Sequence, residues 1–465
     1  MKITLVQCPA WTSESPPYAL ALLAAVLKKN GHEVTCFDFN IEVFRYCREQ
    51  AKQNNSIIDN ESWQMDFRGQ VWYEKDNVTG FINKNEIYIN KLIELVANAP
   101  SQIIGFSVQS TSKFFSLEVA RRIKERSRNK IIVFGGPLCF RNCYGVDILN
   151  DFRFLDFVCL GEGERSFLRL INIIGKNGYI ESFPGFGYRL EDGNIKDGGD
   201  DSLLKNLDDL PFAEYSPFNL EKYTKKLLPI STSRGCINRC SFCSESTHWQ
   251  KYRMRSARNI FQEIKYQLDR NPEIEMFWFN DSLINGDIRM LNELCDLLIS
   301  NRIKIKWGGQ GMIRREMNKD FLQKMKLAGC EVISYGVENG SGKILRLMKK
   351  FYTPELSKKV IRDTYEVGIN VIFNIIIGFP GETEVEFQET KDFVECCKQY
   401  AAHIELVTLL LLKGSYIYDH LDEFDISPID YNDQLKWKTN DNKNTYDIRK
   451  KRLEELKELI AQKIF

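Results

Sequence analysis

The segment Leu227-Leu228-Pro229-Ile230-Ser231-Thr232, continued by Ser233-Arg234-Gly235-Cys236-Ile237-Asn238-Arg239-Cys240-Ser241-Phe242-Cys243, decides how this chain folds. A run of strand character feeds directly into a loop holding three cysteines, spaced by three residues and then two. Onward to residue 412, further strand-like runs recur at Met276–Phe279, Lys304–Trp307, Val332–Val337, Val371–Ile377 and Glu405–Leu411. Amphipathic helices separate them: Ile260, Phe261, Ile264 and Leu268 share one face, and Met290, Leu291, Leu294, Leu297 and Leu298 the next. Six strand-and-helix units predict a curved, partial (β/α)6 TIM-like barrel over residues 226–412. In such barrels the chemistry sits at the carboxyl ends of the strands, where the cysteine loop begins.

Thiolates at this spacing wrap a metal centre, and soft sulfur ligands select zinc, copper(I) or iron–sulfur clusters. A structural zinc site wants four ligands, and the nearest fourth is His248. A four-iron cluster held by Cys236, Cys240 and Cys243 leaves one iron without a protein ligand, and an open position is what a catalytic centre needs.

Upstream, residues 1–165 alternate in the same way. Strands are expected at Lys2–Val6, His32–Phe37, Ile103–Ser107, Ile131–Phe134 and Phe157–Leu160, with helices at Pro16–Lys29 and Leu117–Arg126 among them. That rhythm predicts a parallel, doubly wound sheet, so the chain is α/β throughout. Ligands of such sheets lie beyond the carboxyl ends of the strands, which here carry Ser107-Val108-Gln109, Gly135-Gly136-Pro137 and Gly161-Glu162-Gly163-Glu164. An insertion over residues 45–95 contains Trp63, Phe67, Trp72, Tyr73, Phe81 and Tyr88, which either cap a site or pack the insertion onto the sheet. Residues 166–225, with Asp197-Gly198-Gly199-Asp200-Asp201, read as a linker. Residues 413–465 read as a helical extension, with Leu453, Leu456, Ile460 and Ile464 at helical spacing.

Over 465 residues, Lys plus Arg (64) balances Asp plus Glu (63) to leave a net charge of +1. That gives no bulk electrostatic reason to bind nucleic acid or an anionic membrane, and neither is expected as a partner. No apolar run approaches the length of a membrane span, and the opening residues lack the pattern of a secretory signal. Thirteen cysteines, an odd number, point to reduced thiols and a cytoplasmic setting. Cys8, Cys36, Cys159, Cys295 and Cys397 read as core residues, while Cys139 and Cys143 lie near the Gly-Gly loop.

The cysteine loop resembles that of the radical S-adenosylmethionine (SAM) superfamily, and further motifs follow in the family's order. Phe242 matches the aromatic that lies near the adenine of SAM. Tyr335-Gly336-Val337-Glu338-Asn339-Gly340-Ser341, followed by Met348-Lys349-Lys350, looks like the fourth-strand motif whose acid faces SAM. Asn374-Ile375-Ile376-Ile377-Gly378-Phe379-Pro380-Gly381 is similar to the fifth-strand motif that backs the adenine. After the second strand, many members place a glycine-rich turn where this chain has Phe279-Asn280-Asp281-Ser282. There Asn280 and Asp281 either contact SAM, or Asp281 or Ser282 starts the next helix.

The first half resembles the Rossmann-like cobalamin-binding domain that precedes the barrel in one branch of the superfamily. The likeness rests on Pro16-Pro17, Asp38, Gly135-Gly136, Gly161-Glu162-Gly163-Glu164 and the Leu207-Asp208-Asp209-Leu210-Pro211 segment. It implies cobalamin contacts from Asp38, Ser107, Val108, Gln109, Gly135, Gly136, Gly161 and Glu162. The histidine motif that ligates cobalt in many cobalamin proteins is absent, with Asn40 at the histidine position. Either cobalamin binds with its lower face open or otherwise met, or the domain serves as scaffold.

The resemblance implies three cofactors: a [4Fe-4S] cluster, SAM and cobalamin. It implies cleavage of SAM to a 5'-deoxyadenosyl radical and methylation of an unactivated carbon, on a small-molecule or peptide substrate with a flavodoxin or ferredoxin as electron donor. Members of the branch also perform cyclisations and rearrangements with the same parts. A different class is a non-enzymatic iron–sulfur or zinc sensor. RNA modification would need a basic surface, for which Arg449-Lys450-Lys451-Arg452 is the candidate.

Overall fold

The computed structural model describes residues 1–54, 63, 71–176, 184–190, 192–199, 201–429 and 434–461. Of the residues singled out above, Phe67, Asp200 and Ile464 lie outside the described ones. The chain divides into two compact units, Met1–Pro229 and Ile230–Phe465.

The first unit is built on β1 (Lys2–Gln7), β2 (Glu33–Asp38), β3 (Ile103–Ser107), β4 (Ile131–Gly135), β5 (Phe157–Cys159), β6 (Phe186–Arg189) and β7 (Ile195–Asp197). The sheet order is β2-β1-β3-β4-β5-β6-β7, with the first five strands parallel. The chain reverses its winding between β1 and β3, which makes this a doubly wound, Rossmann-like sheet with its switch point there. Register aligns Gln7 with Asp38 and Ser107, and Ser107 with Gly135, so these residues share the carboxyl edge.

Most of the segment expected as a linker is structured. It continues the helix Gly163–Gly175 and supplies β6 and β7, an antiparallel extension of the sheet. Turn residues dominate its composition and hide a short alternating run, Phe186-Gly187-Tyr188. Phe186 and Tyr188 set their rings 6.3 and 6.1 Å from that of Phe157. Gly187 lies between them because a Cβ there would press on Val146 at 2.5 Å and on Val158 at 2.9 Å.

The insertion carries the helices Lys75–Lys84 and Glu86–Ala97. Its aromatics are packing material: Trp63 meets Phe44, Trp72 and Phe81 at 5.4, 5.1 and 5.8 Å, and Trp72 reaches Phe115 at 6.4 Å. Phe44, Trp63, Trp72 and Phe115 are all buried. Each such side chain gains roughly 2–3 kcal/mol by leaving water, which is enough to anchor a polar insertion.

The second sheet runs β15-β14-β13-β12-β11-β8, with β8 at Leu227–Ile230, β11 at Met276–Phe279, β12 at Lys306–Gly311, β13 at Cys330–Glu338, β14 at Asn370–Ile377 and β15 at His403–Thr408. A small antiparallel pair, β9 (Ser233–Arg234) and β10 (Arg253–Met254), opens the cysteine loop. The strands from β11 to β15 are parallel, giving the expected partial barrel. Along β13 and β14, Ile333, Tyr335, Val337, Val371, Phe373 and Ile375 are at most 1% exposed. The intervening Ser334, Gly336, Ile372 and Asn374 are half-buried, the alternation of a sheet covered by helices on one face.

β12 extends past the expected Trp307 through Gly308-Gly309-Gln310-Gly311. Glycines weaken a strand on propensity, yet here they fit because a Cβ at Gly309 would lie 2.6 Å from Ile284. Side chains cap the helices: Ser256, Asp287, Asn318 and Thr353 accept from the amides of Asn259, Met290, Phe321 and Leu356. The helix after β11 starts at Ile288 under Asp287, so neither Asp281 nor Ser282 starts it. The extension ends in the helix Tyr446–Ala461, with Leu456 buried. Among the described residues no helix is long and apolar enough to cross a membrane.

Candidate functional site

The cysteine loop is held before its first cysteine is reached. Asp281, just past β11, turns a buried carboxylate toward the chain leaving β8. It accepts from the Thr232 amide at 2.8 Å, the Ser233 amide at 2.7 Å and the Ser231 hydroxyl at 3.1 Å, and also from the Thr232 hydroxyl. Burial raises its carboxyl to about 6, while the four donors work in the opposite direction. Asp281 is thus the anchor of the loop's entry, a role that neither the SAM-contact nor the helix-start reading foresaw. Gly235 follows at φ +80°, where a side chain would meet the Lys251 carbonyl at 3.0 Å.

The loop is fastened again between its second and third cysteines. The Ser241 amide donates to the Met348 carbonyl at 3.1 Å, its hydroxyl to the Leu347 carbonyl at 3.0 Å, and its own carbonyl accepts from the Ile417 amide at 2.8 Å. Cys240 is buried, and Cys236 and Cys243 are half-buried. Burial pushes all three thiols up, and at each of them the ammonium of Lys350 opposes that shift.

Lys350 is therefore the shared neighbour of the three thiols. Its Nζ donates to Glu338 Oε1 at 2.9 Å and lies 5.5 Å from the centre of the Phe242 ring. Burial disfavours its charge, but Glu338, Tyr352 and Cys240 outweigh that and hold the ammonium well above its ordinary range. Glu338, at the carboxyl end of β13, sits at φ +67° beside a register shift in the pairing with β14. A left-handed conformation at a buried, non-glycine residue costs of order 1–3 kcal/mol and concentrates at functional sites. The Tyr352 hydroxyl ties the same turn by donating to the carbonyls of Gly336 and Val337 at 2.6 and 3.0 Å. Cysteine loop, Phe242 and Glu338, distant in sequence, thus gather around Lys350, a residue whose role the sequence did not disclose.

Two other sequence candidates are placed by the strands. Asn374 lies on β14 in register with Gly336 and Glu405, half-buried on the less covered face. Gly378 follows β14 at φ +78°, and its amide and that of Phe379 donate to Glu382 Oε2 at 2.6 and 3.2 Å. Asn280 is half-buried past β11, with its amide on the Ile230 carbonyl at 2.8 Å.

The donor set fits an iron–sulfur centre: three thiols on one loop, a cation beside them, and strand ends converging on the same place. Among the described residues no three His, Cys, Asp or Glu side chains converge as ligands of a single ion. Thiolates that bind separate irons of a cubane have no need to. His248 is largely buried, and that burial lowers its ring to about 4.

In the first unit the candidates form the carboxyl edge of the sheet. Gly136 stands at φ +95°, where a Cβ would meet the Val108 carbonyl and amide at 2.8 and 2.9 Å, so only glycine lets the two loops touch. The Val108 amide donates to the Gly135 carbonyl at 2.7 Å. Gly161 faces open space, and Ser107 is half-buried. The other three are engaged within the unit. Gln109 Nε2 donates to the Ala10 carbonyl at 3.1 Å, and Glu162 Oε2 accepts from the Leu204 amide at 3.1 Å. Asp38 caps the helix Phe39–Gln53 and accepts from the Tyr223 hydroxyl at 2.7 Å. Cys139 and Cys159 are buried at the same edge with Cys143 near them, and burial pushes the Cys139 thiol well up.

The basic run at 449–452 is not the surface that RNA binding would need. Arg449 is fully buried and Arg452 is 4% exposed, both bonded within the second unit.

Comparison with known proteins agrees with this geometry. Residues 230–394 match the Radical SAM superfamily model. An uncharacterized methyltransferase, PH0819, of Pyrococcus horikoshii is 27% identical over 326 residues, covering 67% of each chain. The anaerobic magnesium-protoporphyrin IX monomethyl ester cyclase of Synechocystis is 25% identical over 320 residues, covering 67% of this chain and 61% of that one. Among solved structures, the radical SAM methyltransferase TsrM from Kitasatospora setae, with cobalamin and a [4Fe-4S] cluster bound, aligns with a TM-score of 0.66 at 17% identity. That alignment spans 91% of this chain and 74% of TsrM, and at such identity it is a likeness of fold. Over residues 230–394, about a third of its length, this chain thus resembles the radical SAM superfamily.

Proposed function

We propose that this chain is a cobalamin-dependent radical SAM enzyme that methylates an unactivated carbon of a small-molecule or peptide substrate. The observation that carries the reading is one chain joining a three-cysteine loop at the strand ends of a barrel to a preceding doubly wound sheet, an arrangement shared across 91% of its length with a cobalamin-bound methyltransferase. When bound, the cluster would supply the electron that splits SAM, and methylcobalamin would supply a transferable methyl group.

The chain's own residues would do the holding. Cys236, Cys240 and Cys243 would ligate the cluster and leave its fourth iron to SAM. Lys350 would offset the negative charge of the thiolates, and its pairing with Glu338 fixes where that cation stands. Phe242, Asn280, Glu338, Asn374 and Gly378 line the approach for SAM, Asp281 serving as anchor for the loop. In the first unit, Gly135, Gly136 and Gly161 bare backbone at the carboxyl edge where cobalamin would lie, with Ser107 and Val108 beside them. Asp38, Gln109 and Glu162 would shape that edge from beneath. His32, the one histidine of the first unit, precedes β2 and so lies at the opposite edge of that sheet. A flavodoxin or ferredoxin would deliver the electron.

The relative named as a cyclase favours a second reading, a radical step without methyl transfer. Incubation with methyl-labelled SAM separates them. Label in the product supports methylation, and 5'-deoxyadenosine with no label transferred overturns it. Failure of the purified chain to take up cobalamin at a stoichiometric level, followed by its visible spectrum, removes that cofactor. Cys240→Ala should abolish SAM cleavage, whereas a sensor would show no cleavage to lose.

A further inference from the structure

The loop Gly378-Phe379-Pro380-Gly381-Glu382 is gripped from residues far along the chain. Asn444 Nδ2 donates to the Gly378 carbonyl at 3.0 Å, and Asn444 Oδ1 in turn accepts from Arg449 Nη1 at 3.0 Å. Arg449 Nη2 donates to the carbonyls of Leu435 and Trp437, both at 2.8 Å, and its guanidinium carbon stands 3.8 Å from the centre of a Trp437 ring. Trp437 Nε1 donates to the Leu409 carbonyl at 2.9 Å, one residue past β15. On the next turn of the helix, Arg452 Nη1 donates to the Glu382 carbonyl at 3.4 Å and Nη2 to Glu384 at 2.6 Å.

Arg449 is an expensive way to fill this space. It is fully buried, and among the described residues its bonded partners are neutral oxygens, with no carboxylate among them. Its Nε is buried and, among the described residues, meets no acceptor. Burial lowers its pKa to about 9. A packed apolar side chain would fill the volume at lower cost. What an arginine adds is a rigid fork of donors, and here the fork orders three acceptors that set the course of residues 435–444. The stem matters too: a Cβ on Gly378 would run into Cγ and Cδ of Arg449, so the aliphatic chain lies flat against a backbone position that has no side chain.

We propose that Arg449 and Asn444 are positioning residues for SAM: the C-terminal extension sets the path of the Gly378–Glu382 loop and thereby the backbone wall against which the adenosyl group rests. The proposal rests on the reading that this loop lines the SAM site. It assigns the extension a part in cofactor binding that no motif of the barrel carries.

The test uses the full chain, reconstituted anaerobically, as Asn444→Ala, Arg449→Lys and Arg449→Met, with Lys450→Ala on the exposed side of the same helix as control. Iron per chain, thermal midpoint, SAM affinity by equilibrium dialysis, and KM and kcat of SAM cleavage are measured. Asn444→Ala and Arg449→Met should weaken SAM binding about tenfold, the worth of one lost hydrogen bond, and raise KM with it. The kcat at saturating SAM should stay within about twofold of the parent, the signature of lost binding rather than lost chemistry. Iron content should hold, and Arg449→Lys should recover part of the affinity. If Arg449→Met does not fold, Asn444→Ala decides alone. Unchanged SAM affinity in Asn444→Ala overturns the positioning role, provided Asn374→Ala still weakens SAM. If Asn374→Ala also leaves the affinity unchanged, the reading of the strand ends as the SAM site has failed instead.

Discussion

The pair of Glu338 and Lys350 invites a double-mutant cycle. The two groups are 2.9 Å apart, with side chains 10% and 7% exposed. At an effective dielectric of about 20, charges at that separation attract by roughly 6 kcal/mol. Most of that offsets the cost of burying them, so the pair is worth little in total, while each half alone is a liability. Glu338→Gln leaves the Lys350 ammonium buried without its carboxylate, and Lys350→Met strands the carboxylate. Either change should destabilise the barrel unit by about 3–5 kcal/mol. The double variant should cost about as much as one single change, giving a coupling energy of at least about 2 kcal/mol. Urea unfolding of the four proteins under reducing conditions measures it. Additive losses, with coupling below about 0.5 kcal/mol, would mean that the two side chains do not act as a pair.

Two further outcomes follow from buried carboxylates. Asp281→Ala removes the acceptor from two buried amides, Thr232 and Ser233, at about 1–3 kcal/mol each, so the chain should lose roughly 4 kcal/mol and retain less iron after reconstitution. A variant as stable as the parent, with full iron, would show that Asp281 does not anchor the loop. Asp38 is raised by burial from 3.8 to about 7, despite the hydroxyl of Tyr223 and the amide of Ile41. A carboxyl raised in the folded state stabilises fully below its unfolded value, and that contribution is lost as pH rises through the folded one. Across about three pH units this amounts to about 4 kcal/mol, so the first unit should weaken between pH 4 and 7. Asp38→Asn, which preserves the helix cap, should flatten the profile; an equal slope in the variant, followed by urea unfolding at each pH, assigns the titration elsewhere.

Much of this architecture was legible because it rests on short-range signals. Apolar runs separated by helical faces announce parallel sheets whatever the tertiary detail, and the three cysteines lie within eight residues. Strand ends were harder. The glycines of β12 argue against a strand on propensity, and only the close approach of Ile284 explains them. The run Phe186-Gly187-Tyr188 was masked by turn residues on both sides, so strands at a sheet edge passed for a linker. Asp281 presented a local ambiguity, contact or cap, whose resolution was non-local: its donors are 48 to 50 residues away. Lys350 stood inside a motif quoted for its acid, and nothing in one sequence says that a lysine will face three thiols. Arg449 was the most misleading, since a run of four basic residues reads as a solvated face until burial is known.

These cases share a cause. Motif residues name the chemistry, but their geometry is imposed by groups outside the motifs. The cysteine loop is pinned at its entry by an aspartate just past β11, at Ser241 by the turn before Lys350, and on the far side by Ile417. The conformation of Glu338 would relax in an isolated strand, and it persists because Lys350 and Tyr352 hold the turn around it. A loop that must present three sulfurs to one cluster cannot rely on its own five intervening residues for rigidity, two of them, Ile237 and Arg239, exposed. The precision is borrowed from the barrel through hydrogen bonds that link residues tens to hundreds of positions apart. It follows that substitutions which leave every motif residue in place can still disable this centre, and that the sensitive positions are those whose buried polar atoms reach the loop.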